Sequence, residues 1–276
     1  MKPLIISLTT IPPRMAMIGP TLRALLAQTA NVSEIRLNIA RKYRRFDFDP
    51  ATIPSYPEGI RVCLVDEDFG PATKVLPTVR AHAGEDVEIL FCDDDQIYGP
   101  GWAQQFVDAR AQVPDACIVE TGRDLYVRDG HRTCSGVEAM LPRAARRKKD
   151  FRYRLYRALT LGRRLPPRYA TPGYLDLFKG YRGAMIRPDF LPEATFEIPD
   201  VMWTHDDYWL SGQMAAHGVP IWCFAGKTPW TAPHGAARMS ALLNWSYQGY
   251  GRKETSALML RFFQDTHDLW RNADPR

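Results

Sequence analysis

Val87-Glu88-Ile89-Leu90-Phe91-Cys92-Asp93-Asp94-Asp95 joins a mainly apolar run directly to three adjacent carboxylates. The first six residues read as a buried strand, and the aspartates mark where the chain leaves the sheet. Neighbouring carboxylates repel one another, and the mouth of a buried strand adds a desolvation cost. A divalent cation removes that cost. Mg²⁺ and Mn²⁺ favour carboxylate oxygen and commonly take one or two carboxylates plus substrate phosphates. Along an extended segment residues two apart share a face, so Asp93 and Asp95 can face one ion while Asp94 points elsewhere. The structural alternative is an acidic turn or cap ahead of Gly99-Pro100-Gly101-Trp102. The strand directly before the run favours the metal.

Working outward, strands and helices alternate. Strand-type runs cover residues 3–9, 34–40, 60–65 and 116–120, and helical spacing covers 15–28, 74–82 and 102–112. Pro20 and Pro77 argue for late or short helix starts. Crossover helices between strands predict an α/β fold with a mostly parallel central sheet flanked by helices. Ligands of such sheets sit outside the carboxyl ends of the strands. After Thr121 the alternation stops. Residues 122–135 are polar, and residues 143–168 carry eleven Lys and Arg against the single acid Asp150. Organised structure is expected again near Tyr169: a glycine-flanked strand over 180–186, a helix over 204–217, a strand over 219–224 and a terminal helix over 254–270.

The chain has 276 residues, 45% hydrophobic and 24% charged, with net charge +5. That suits one large α/β domain or one domain with a sizeable insertion. The five cysteines have no metal-finger spacing, and Cys63, Cys92, Cys117 and Cys223 lie in apolar runs. Buried free thiols and a cytoplasmic setting are therefore expected. The apolar run Leu4 to Leu8 is too short for a signal core, and none reaches the roughly 20 residues of a spanning helix.

Four segments, in order, resemble bacterial GT-A-type glycosyltransferases close to the family 2 group. They are Ile6-Ser7-Leu8-Thr9-Thr10-Ile11-Pro12-Pro13-Arg14, Asp66-Glu67-Asp68-Phe69-Gly70-Pro71-Ala72-Thr73-Lys74, Cys92-Asp93-Asp94-Asp95-Gln96-Ile97-Tyr98, and Gly183-Ala184-Met185-Ile186-Arg187-Pro188 followed by His205-Asp206-Asp207-Tyr208-Trp209-Leu210. The resemblance implies a single GT-A (nucleotide-diphospho-sugar transferase) domain: a nucleotide-sugar-binding half over 1–121, a polar and basic insertion over 122–168, and an acceptor-binding half with a C-terminal helix over 169–276. It implies that Thr9, Thr10 and Arg14 hold the nucleoside, that Gly70 borders the nucleotide, and that Lys74 faces the diphosphate. Asp93 and Asp95 match the DxD metal motif for Mn²⁺ or Mg²⁺, and Asp94 would touch the ribose. Asp206 and Asp207 match the acidic pair that supplies the base in inverting members. One departure stands out: the second strand ends Asn38-Ile39-Ala40-Arg41, without the acid that reads the base in many relatives.

Each residue also has a plainer reading. Lys74 fits a solvated lysine at a helix start. Thr204-His205-Asp206-Asp207 has capping-box spacing, and helix starts favour acids through the macrodipole. If Asp207 caps the helix, Asp206 becomes the better base; the family register favours Asp207. His234, in a turn after the last strand, would be the third metal ligand or merely solvated. Trp203, Trp209, Trp222 and Trp230 are core residues, with one or two lining an acceptor site. The basic stretch interleaves cations with aromatic and leucine residues, which suits an interfacial helix on an anionic membrane; a solvated insertion or a polyanion site are the alternatives.

The sequence thus predicts a metal-dependent, inverting transfer of sugar from a UDP- or GDP-sugar to a hydroxyl of a glycan or lipid-linked acceptor. An anionic membrane surface is expected at 143–168, and no nucleic acid partner. The rival readings are a nucleotidyltransferase or phosphohydrolase, and a non-catalytic polyanion-binding protein.

Overall fold

In the computed structural model the described residues are 2–125, 136–161, 164–226, 230–231, 246–271 and 273. Eight strands form the main sheet: β1 (Leu4–Thr9), β2 (Val32–Ala40), β3 (Ile60–Val65), β4 (Glu88–Phe91), β5 (Cys117–Val119), β6 (Gly173–Leu175), β7 (Ala184–Ile186) and β8 (Ile221–Cys223). Their spatial order is β6-β8-β5-β7-β4-β1-β2-β3. β1 is parallel to β2 and β4, β2 to β3, and β5 to β8. Only β6 and β7 run against the rest.

Strand periodicity sorts the side chains into two layers. Ile5, Ile89 and Phe91 enter one core with Leu76, Val79, Tyr208 and Met259. Ile6, Leu8, Leu90 and Cys92 enter the other with Leu22, Leu25 and Phe106. Helices α2 (Leu76–Ala81), α5 (Asp206–Ala216) and α6 (Arg252–His267) therefore cover one face. Helices α1 (Gly19–Leu26) and α3 (Trp102–Gln112) cover the other. This is the expected layered α/β architecture.

The differences from expectation have local causes. Only Ala184–Ile186 of the glycine-flanked segment is strand; Gly180–Arg182 coils into a 3-10 turn. β6 is a three-residue edge strand, too short to show a period. The basic stretch is organised rather than bare: it contains α4 (Phe151–Leu159), capped by the Asp150 carboxylate accepting from the Tyr153 N–H. Cys92, Cys117 and Cys223 are buried free thiols, but Cys63 is only half-buried because β3 ends the sheet.

The topology also locates a crevice. From β1 the chain passes to β2 and β3 on one side, then returns to β4 on the other. The carboxyl ends of β1 and β4 thus flank a switch point, where open α/β sheets bind ligands. Thr9, Thr10 and the three aspartates lie there.

Candidate active site

A cleft of about 540 Å³ opens at this switch point, within the range of small-molecule sites. Thr9, Thr10, Arg14, Gly70, Lys74, Asp93, Asp94, Asp95, Asp206 and Asp207 all line it. His234 lies outside the described residues.

Lys74 occupies the centre. Its Nζ lies 2.6 Å from Asp93 Oδ1 and 2.8 Å from Asp206 Oδ2, and the residue is only 4% exposed. The contact with Asp206 is an ion pair, and among the described residues that oxygen has no other polar partner. Burial alone would push the ammonium towards its neutral form. Asp206, Asp93 and Asp207 outweigh burial and hold its pKa well above the ordinary value. The solvated-lysine reading therefore fails.

The backbone beneath Lys74 is pinned by buried polar groups. Ser7 Oγ donates to the Lys74 carbonyl at 2.6 Å. Asn38 Nδ2 donates to the Thr73 carbonyl at 3.1 Å and to Thr78 Oγ1 at 3.0 Å. Asp68 accepts from the Gly70 N–H at 2.8 Å. Gly70 has φ +60, and a Cβ there would run into Trp203, so the turn demands glycine. Asn38, at the acid-free end of the second strand, thus serves a structural purpose by satisfying the turn that aims Lys74. Past it, Tyr43, Arg45 and Phe46 line the cleft.

The three aspartates have separate surroundings. Asp94 is buried, accepting from Thr10 Oγ1 at 2.7 Å and Arg14 Nη1 at 2.8 Å. Desolvation raises its pKa against the pull of Arg14 and Thr10. In this arrangement Thr10, Arg14 and Asp94 bind each other. The Asp93 peptide is held by Tyr98, whose Oη accepts from the Asp93 N–H at 3.1 Å. Asp95 accepts from Gln96 Nε2 at 2.8 Å and lies 3.6 Å from Arg14. Among the described residues no group of three or more His, Cys, Asp or Glu side chains is arranged to hold a metal. Asp93 and Asp95 do offer two carboxylates to one cleft. That donor set fits a hard cation whose other positions go to substrate oxygens and water.

The acidic pair at the start of α5 divides sharply. His205 takes the N-cap position and makes no side-chain cap; the Thr204–Asp207 capping box does not form. Instead both Asp207 oxygens turn towards 179–180. Oδ1 accepts from the Gly180 N–H and Oδ2 from Lys179 Nζ, each at 2.9 Å. Burial alone would raise the Asp207 pKa, but Lys179, Lys74 and the Gly180 N–H hold it far below the carboxylate range. Asp206 is raised by burial, with Lys74 opposing and Asp207 and Asp93 adding to it. A Cβ on Gly180 would sit 3.0 Å from Lys74 Nζ, so the chain passes close against the charged cluster. Lys179 had no signal in the sequence beyond its place before a glycine turn.

His205 and Trp203 also line the cleft. His205 Nδ1 meets Ser256 Oγ at 3.0 Å, and its Nε2 is buried without a hydrogen-bond partner among the described residues. Desolvation, then Arg252, lowers its pKa to about 3. Trp209 is a core residue that donates to the Thr195 carbonyl at 2.7 Å, and Trp222 packs on Tyr174.

Fold and cleft together define an α/β protein with a paired-charge site at the switch point of its sheet. No protein-family model and no curated protein matches the chain. Among solved structures, S. aureus TarS is similar over 98% of this chain and 40% of its own, with 12% identity and a TM-score of 0.49. TarS 1-349 in complex with UDP-GlcNAc is similar over 98% of this chain and 68% of its own, with 12% identity and a TM-score of 0.49. The UDP complex of TarS 1-349 gives 12% identity and a TM-score of 0.46 over 98% of this chain and 73% of its own. The chain thus spans about 40% of the length of the first of these. Among the described residues, no helix is long and apolar enough to cross a membrane.

Proposed function

We propose that this protein is a GT-A-type glycosyltransferase that moves a sugar from a nucleoside-diphosphate donor to an acceptor hydroxyl, with inversion. One observation carries the reading. A buried ammonium, Lys74, is clasped between Asp93 and Asp206 at the carboxyl ends of the strands. A diphosphate entering beside Asp93 would find that charge already placed. The four ordered segments described above support the same reading.

In this scheme Thr9, Thr10 and Arg14 border the nucleoside, and Tyr43, Arg45 and Phe46 supply the face that the missing acid would otherwise occupy. Asp206 is the base. Its carboxylate is raised by burial, whereas both oxygens of Asp207 are committed to Lys179 and Gly180. The acceptor oxygen attacks the anomeric carbon as its proton passes to Asp206, and the bond from that carbon to the diphosphate oxygen breaks. The products are the glycoside and a nucleoside diphosphate. Asp207 is a positioning residue that orders the turn carrying Lys179. A Mn²⁺ or Mg²⁺ held by Asp93 and Asp95 would neutralise charge on the departing diphosphate. The acceptor is a glycan or lipid-linked hydroxyl.

A screen of UDP- and GDP-sugars by thermal shift, followed by mass detection of the transferred sugar, tests this. Release of phosphate without sugar transfer would favour the phosphohydrolase alternative. Failure of every nucleotide-sugar to raise the melting temperature would overturn the proposal.

A further inference from the structure

Helix α4 carries an apolar face that nothing in the described chain covers. Phe151, Leu155 and Leu159 recur at i, i+4 and i+8, which places them on one side of a helix. They are 77%, 47% and 77% exposed. Leu161, just beyond the helix, is 80% exposed as well. Tyr153, Tyr156 and Thr160 lie on the opposite side and are half-buried. The tyrosine side of the helix is thus the more sheltered one, and the leucine side faces solvent. A lone exposed leucine needs no explanation, but a contiguous stripe does.

Charge surrounds this stripe. Arg152 and Arg154 flank it on either side, and Lys148 and Lys149 precede it; all four are exposed. Asp150, the one acid of the stretch, is occupied as the helix cap. Apolar side chains between long cationic ones match a headgroup boundary, where the stems enter the apolar zone and the charges meet phosphate. A protein partner would not require this excess of one sign.

The helix also sits on an arm rooted at the cleft. Ala145 and Arg146 pair with Thr171 and Tyr169, closing the base of the arm. The Arg147 N–H donates to the Arg168 carbonyl at 2.8 Å, and Arg168 lines the cleft. We infer that α4 is an interfacial anchor that lays its Phe151-Leu155-Leu159 face into an anionic lipid surface beside the cleft. For the transfer reaction proposed above, on which this consequence alone rests, the surface would deliver a lipid-linked acceptor.

The test needs no turnover, so it stands or falls apart from the glycosyltransferase reading. The full chain is sedimented with vesicles of phosphatidylcholine alone and of phosphatidylcholine mixed with phosphatidylglycerol. Binding is expected only to the anionic vesicles, weakening as salt rises. Joint replacement Phe151→Ser, Leu155→Ser and Leu159→Ser should reduce partitioning at least about tenfold with an unchanged melting temperature. Arg152→Gln and Arg154→Gln should each reduce it about fivefold. Absence of binding to anionic vesicles by the unaltered chain overturns the inference. So does binding that the serine variant retains in full. Retention on heparin or RNA without vesicle binding would likewise overturn it, in favour of a polyanion site.

Discussion

Nζ of Lys74 lies 2.8 Å from Oδ2 of Asp206, joining the turn before α2 to the first residue of α5. Both groups are buried, and Asp93 shares the same ammonium at 2.6 Å. Removing the ammonium leaves the buried Asp206 carboxylate without its counter-charge. Lys74→Met should therefore cost about 3–5 kcal/mol of stability. Adding Asp206→Asn to it should recover part of that loss, because the orphaned charge is then gone. Denaturant unfolding of the two single variants and the double variant measures the coupling. A Lys74→Met protein as stable as the parent would contradict the clasp.

The neighbouring acids should separate by phenotype. Asp206→Asn is expected to lower sugar transfer by about 10²–10⁴-fold while nucleotide-sugar binding persists. Asp207→Asn should weaken the Lys179 and Gly180 bonds and lower the melting temperature first. Transfer rates, donor affinity and melting curves on both variants check this. If Asp207→Asn abolishes transfer on a fold of undiminished stability, the base has been assigned to the wrong residue.

Asp93→Asn together with Asp95→Asn should abolish any Mn²⁺-dependent rise in melting temperature with a nucleotide-sugar. A bound donor stabilises by mass action, so the shift reports binding directly. An unchanged Mn²⁺-dependent shift would remove both residues from the metal site.

His205 makes a pH prediction. Its pKa is lowered to about 3 from 6.5, so between those values the unfolded chain binds the proton that the folded chain refuses. Stability must fall as pH drops through that window, by about 1.4 kcal/mol per pH unit from this group alone, and the effect vanishes above it. The neutral variant His205→Asn should flatten the slope of unfolding free energy between pH 6 and pH 4, relative to the parent. An identical slope would show that His205 protonates freely in the folded protein.

Much of the architecture is legible in the linear pattern because its causes are local. The predicted strand over 60–65 and helix over 102–112 are those observed, since apolar periodicity and turn residues act over a few positions. The aspartate run at the end of β4 could be placed for the same reason. Tertiary structure decided what those local signals do not contain. The capping-box spacing at Thr204 was overruled because Lys179 and the Gly180 N–H gave Asp207 stronger partners from a distant turn. The role of Asn38 emerged only when β2 was laid beside β1 and the Gly70–Lys74 turn. Lys179 has no periodic or motif signature, and the antiparallel entry of β7 depends on pairings between residues far apart in the chain. The amino-acid order by itself determined an α/β sheet with carboxylates at the mouth of a buried strand. The folded chain decided which cation each carboxylate meets, because charge pairing depends on proximity in space, which covalent order leaves open.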